Sequence, residues 1–291
     1  EESKMRYRSR LRRQRMNSGT KKNLIAVAVI IIFAIIVFSI GAIGDFLAKN
    51  IFVPLFGDAH AETNTPTAGT SPNVPIKLTE SVQLSDLSMY MVQMNAYSEQ
   101  DDAEASAQSI KERGGAGYII QDEYYRVFAA AYNTEDQAQS VCEQLIEQDE
   151  KNAKVYPVSS GTVVFKITAT REQIDTVSEA FAYFPEMCGE LAEQTINFDK
   201  GALSTSQYKT LAANIANNLE DLADSINRII AGTSENEVLK SYSQLLDNAR
   251  EMLEKISIEN SDSALAFSSE IKYNYIELAH MYIQYVASVN G

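Results

Sequence analysis

The stretch YMVQMNAYSEQDDAEA, beginning at Tyr90, is echoed thirty-five residues later by YRVFAAAYNTEDQAQS from Tyr125. Tyr90, Val92, Ala96, Tyr97, Asp101 and Ala103 recur as Tyr125, Val127, Ala131, Tyr132, Asp136 and Ala138. A solenoid needs roughly three or more copies to bury its faces. Two copies are visible, so the duplicated unit has to close on itself.

Each copy changes period part-way. Tyr90, Val92, Met94 and Ala96 lie two apart, as a half-buried strand requires, and Ala103, Ala107 and Ile110 follow at helical spacing. Tyr125, Val127, Ala129 and Ala131, then Ala138, Val141, Cys142 and Leu145, repeat the change. A short strand follows each helix, AGYIIQ from Ala116 and AKVYPV from Ala153, and Gly114, Gly115 and Gly117 supply the first turn. The order β-α-β-β-α-β is the split βαβ, or ferredoxin-like, plan: two βαβ halves related by pseudo-symmetry.

The segments VQMNAYS, DDAEASAQSIKERGGAGYII and EYYRVFAAAYNTEDQAQSVCEQL together resemble the SPOR domain, the sporulation-related repeat of bacterial cell-division and sporulation proteins. The resemblance covers residues 86–159. It implies an extracytoplasmic module that binds peptidoglycan, with a preference for glycan strands stripped of their peptides. Asn95 and Ala130 stand where the family usually carries glycine.

In this plan two helices cover one face of the sheet and leave the other open, with the first and third strands central. Because Val92 matches Val127, those two share the helix-packed face. Alternation then sends Met91, Gln93 and Asn95, with Tyr124, Arg126 and Phe128, to the open face. Sugar rings lay C–H edges on aromatic faces and offer hydroxyls to directional partners. The expected glycan-binding set is therefore Gln93, Asn95, Tyr124, Arg126, Phe128 and Tyr156, with the Arg126 fork suited to a lactyl carboxylate. Two other readings stand beside it. The C-terminal region is large enough to cover the sheet, and sheets of this topology also stack RNA bases. Net acidity on an extracytoplasmic domain argues against nucleic acid.

The first 23 residues hold nine Lys/Arg against Glu1 and Glu2, although the whole chain is −14. Leu24 to Ile43 follow without a charge, long enough at 1.5 Å per residue to cross about 30 Å of hydrocarbon. Residues 24–43 are expected to form one transmembrane helix, with 1–23 a basic cytoplasmic arm and everything after residue 44 outside the cell membrane. A cleaved signal peptide is the alternative, although its apolar core is ordinarily shorter. Residues 44–85 read as a juxtamembrane segment and a disordered linker rich in Thr, Ser, Ala, Asn and Pro.

Residues 160–291 read as an extra strand plus a helical bundle. TVVFKIT, from Thr162, alternates and can extend the sheet beside its fourth strand. A helix from Thr170 is expected to break or kink at Pro185. Three longer amphipathic stretches then begin near Leu211, Val238 and Leu265, and they fold most simply as an antiparallel bundle. The fold class expected is α+β, a ferredoxin-like βαββαβ domain followed by an α-helical bundle, with one N-terminal transmembrane helix. His60 and His280 lack metal-ligand spacing, and no nucleophile with a base or glycine-rich phosphate loop is visible. No cofactor, metal or enzymatic activity is expected. Cys142 and Cys188 read as buried free thiols, a disulfide being the alternative. The leading expectation is a membrane-anchored glycan binder of division or sporulation. The alternative is an interaction scaffold whose C-terminal helices dock a partner protein.

Overall fold

The computed structural model describes residues 76–290, apart from 149, 233–235 and 262. The basic arm, the expected transmembrane helix and most of the expected linker lie outside the described residues. The βαββαβ core is β2 (Ser88–Tyr97), α1 (Gln100–Glu112), β3 (Tyr118–Gln121), β4 (Tyr125–Tyr132), α2 (Glu135–Glu147) and β5 (Lys154–Ser159). Its four strands lie in the order β3-β4-β2-β5, all neighbours antiparallel, as the duplicated pattern predicts.

The pseudo-symmetry is visible in the central pair. Tyr90 pairs with Tyr132 and Tyr97 with Tyr125, so each tyrosine faces the repeat counterpart of the other tyrosine in its own strand. Both strands also bulge at equivalent places. The register passes from Val92 opposite Ala130, to Gln93 opposite Phe128, to Asn95 opposite Val127, leaving Ala129 and Met94 as the extra residues. Helices α1 and α2 bury mostly small side chains, Ala103, Ala107, Ala138 and Cys142, which lets them lie close over Val92, Met94 and Val127. Gly117 has a φ of +56°, and a Cβ there would fall 2.4 Å from the Ala107 carbonyl oxygen, so the turn from α1 into β3 needs glycine.

Two strands depart from expectation. β1 (Leu78–Leu84) lies within the stretch whose composition reads as linker, and β6 (Val163–Ala169) pairs with it antiparallel rather than with β5. Val82, Leu84 and Val163 are buried, which gives this two-stranded ribbon an apolar side and a reason to order. Asp86, at the corner between β1 and β2, accepts hydrogen bonds from Ser88 Oγ (2.7 Å), Ser159 Oγ (2.7 Å) and the Gly161 N–H (2.8 Å). Those bonds hold the ribbon where it leaves the main sheet.

Four further helices follow among the described residues: α3 (Arg171–Asp199), α4 (Thr205–Ala231), α5 (Glu237–Ile258) and α6 (Ala264–Asn290). Each of α3, α4 and α5 packs against its successor, and α6 returns to α3, so they close a four-helix bundle through short connections. Thr170 with Gln173 and Ser204 with Gln207 form capping boxes that fix the starts of α3 and α4. Contrary to expectation, α3 runs unbroken through Pro185. Pro185 removes the donor that would meet the Phe181 carbonyl; one residue earlier, the Ala180 carbonyl accepts from the Tyr242 hydroxyl of α5. Cys142 and Cys188 are free and buried in different apolar clusters, one under α1 and α2 and the other in the bundle.

Bundle and sheet share one core. Met89, Met91, Phe128 and Ala131 on the second face of the sheet belong to the same apolar cluster as Phe184, Leu191, Tyr275 and Tyr282 of the helices. Among the described residues no helix is long and apolar enough to cross a membrane, and no group of His, Cys, Asp or Glu is placed to hold a metal ion.

Candidate functional site

The face of the sheet opposite α1 and α2 is divided. At the end where β2 begins and β4 finishes, α6 lies on it. Tyr275 donates to Asn133 Oδ1 just after β4 (3.3 Å), and Tyr282 donates to the Ser85 carbonyl just before β2 (2.7 Å). On β3 the Tyr118 hydroxyl sits 3.0 Å from His280 Nδ1, and its ring meets Tyr273 edge-on at 5.1 Å. Lys272 of α6 bonds the Gly114 carbonyl (2.8 Å) and Asp199 at the end of α3 (2.8 Å). Phe128, Met91 and Gln93 are buried, so the exposed mid-sheet platform expected from strand alternation is not there.

This cover is permanent architecture. Lifting α6 would expose Phe267, Ile271, Tyr275, Leu278 and Tyr282, all essentially inaccessible. At roughly 1.5–3 kcal/mol for each such side chain, the cost reaches the whole stability of an ordinary domain, about 5–15 kcal/mol.

At the opposite end, where β2 finishes and β4 and β5 begin, the face remains accessible. Arg126 stands at its centre with its side chain 18% exposed. Its Nε donates to Asp122 Oδ2 (2.7 Å) and its Nη1 to Gln93 Oε1 (3.3 Å). The guanidinium carbon lies 5.7 Å from the Tyr124 ring centroid and 5.4 Å from that of Tyr156. Tyr156 in turn leans on Phe128, centroids 5.5 Å apart. Tyr124 is 41% exposed. Five of the six expected residues therefore meet in one cluster. Gln93 and Phe128 act as its buried floor, while Tyr124, Arg126 and Tyr156 form its accessible part.

Asn95 is the exception. The bulge at Met94 shifts the strand by one residue, so Asn95 pairs with Val127 and shares the α1/α2 side, where it accepts from Asn152 Nδ2 (2.8 Å). Sequence alternation missed this because it carries no information on where a strand inserts a residue. It also missed Asp122. That carboxylate accepts from Arg126 and from the Tyr124 N–H (2.9 Å), and these two bonds, the arginine first, hold it below the ordinary carboxylate range. The same pairing raises Arg126. An Asp two residues before Tyr124 in a tight hairpin was the available signal. Ala96, opposite Arg126 and exposed, is the other residue left out.

Residues 87–156 match the SPOR domain family. The match starts one residue before β2 and ends midway along β5, so the ribbon of β1 and β6 and the four C-terminal helices lie outside it. SPOR domains are binding modules for peptidoglycan rather than catalytic ones. No curated protein and no solved structure matches the chain.

Proposed function

We propose that this protein is a non-enzymatic peptidoglycan binder of the cell envelope, acting in division or sporulation, whose SPOR domain holds glycan at the uncovered end of its sheet. The observation that carries the reading is the accessible Tyr124–Arg126–Tyr156 cluster within a SPOR domain. Two aromatic rings flanking a guanidinium suit the apolar edges and hydroxyls of a sugar. The charge-free run from Leu24 to Ile43, behind a basic arm, supports a single membrane anchor with the SPOR domain outside.

The test is co-sedimentation with purified sacculi. Tyr124→Ala and Arg126→Ala are expected to leave the pellet while melting near the parent temperature; retention equal to the parent would sink the glycan reading. For the anchor, protease added to wall-stripped cells should leave a small basic membrane fragment, and release of the intact body into the medium would count against it.

A second reading has its own support. Because α6 covers most of the ligand-side face, the SPOR domain also serves as a base for the bundle, which fits a scaffold whose outer helical surfaces dock a partner protein. Unchanged sacculus binding by both variants would favour it.

A further inference from the structure

The polar contacts between α6 and the sheet run from one end to its middle: Ser85 before β2 and Asn133 after β4 at the end, and Tyr118, which pairs with Phe128, on the middle row. A polymer lying along the strands would run into this helix. What stays open is an oblique band across the strands that starts at the other end. It passes from Tyr124, just before β4, and Arg126 on β4, beside Ala96 on β2, and then obliquely to Lys154 and Tyr156 on β5, whose backbones lie opposite Gln93 and Met91 while the Tyr156 ring reaches back to 5.4 Å from the guanidinium carbon. Ala96 pairs directly with Arg126, and its side chain is small and exposed. Lys154 pairs with Gln93, which places it on the same side as the cluster.

We infer that α6 sets the length and direction of the ligand: glycan crosses the strands along this band, and the site reads a short run of sugars rather than a strand stretched over the whole sheet. The proposal rests on the glycan reading above. Three neighbouring strands at about 4.8 Å spacing, with the offset along β2 from the Ala96 row to the Met91 row at about 3.4 Å per residue, give an oblique band of about 15–20 Å, roughly two disaccharide repeats. Ala96 becomes a residue that determines access, since any large side chain there would stand over Arg126.

Peptide-free glycan oligomers of one, two and four disaccharides, titrated against the full-length chain in detergent, test this directly. Affinity is expected to reach its plateau by the second repeat, with longer oligomers gaining only the statistical factor for extra positions. Ala96→Trp is expected to weaken binding about tenfold or more, as Tyr124→Ala does, without a change in melting temperature. Affinity that climbs steadily up to the longest oligomer, or an Ala96→Trp variant that binds like the parent, would overturn the oblique band while leaving glycan binding intact. If no oligomer binds and sacculus retention survives Arg126→Ala, the glycan reading itself fails and takes this proposal with it.

Discussion

Phe128 and Tyr124 sit four residues apart on the same side of the sheet, and their surroundings assign them opposite work. Phe128 is fully enclosed between Tyr156 and the helical core, whereas Tyr124 stands in solvent beside Arg126. Phe128→Ala removes a buried ring and leaves a cavity that the sheet cannot collapse into, an expected loss of about 3–5 kcal/mol. Tyr124→Ala, at an exposed rim, is expected to stay within about 0.5 kcal/mol of the parent. Denaturant melts of both variants check this; equal midpoints would mean that α6 does not cover Phe128 in solution. Sequence parity put both residues on the correct side of the sheet. What it could not supply was the cover, because whether a face is solvated depends on contacts made by residues about 150 positions later in the chain.

At the scale of elements, α6 is the piece that links bundle to sheet, and His280 lies in its seam. The ring is flanked by Tyr118 from β3 and Gln284 from its own helix, with Glu277 and Tyr273 also facing Tyr118 and Lys111 of α1 set over the Tyr273 ring. Burial pushes the His280 imidazole below its ordinary value of 6.5. Between the lowered value and 6.5 the unfolded chain holds a proton that the folded chain does not. Stability therefore falls as pH drops through 6.5 and levels off once the folded ring also protonates. Glu277, raised first by burial, works in the opposite sense as pH rises above its ordinary 4.5, so the two must be separated by difference. His280→Gln, which cannot titrate, is expected to flatten the acid side of the melting-temperature profile relative to the parent. An unchanged profile would show that the seam carries no pH sensitivity through this ring. The helix itself was legible from its apolar spacing, as were α1, α2, α4 and α5, whereas α3 was expected to break or kink at Pro185 and does not. The strand β1 was not, since Thr79, Glu80 and Ser81 carry a linker's composition and their partners, β6 and Arg171 of α3, come from about 90 residues later in the chain.

Across the whole molecule, the boundary drawn near residue 160 by composition and by the extent of the family match runs through a shared core. Met89, Met91 and Phe128 on one side of it pack with Phe184, Leu191 and Tyr282 on the other. The β1–β6 pairing and the Asp86 corner cross the same boundary. A four-helix bundle can bury its own stripes, but here α6 turns tyrosines and aliphatic groups toward the sheet as well. The duplicated sequence announced a self-contained βαββαβ unit, and in topology it is one. Energetically the face opposite α1 and α2 is completed by helices that the repeat does not encode. Residues 73–161 and 162–291, expressed separately, are therefore each expected to expose a large apolar surface, bind a hydrophobic dye and unfold without a sharp transition, because neither half closes the common cluster. Mixed together they should recover a cooperative melt close to that of the joined chain, with the midpoint rising with concentration as association requires. Two halves that each melt sharply and do not bind one another would mean that sheet and bundle are independent domains, and that the second face of the sheet lies open along its full length.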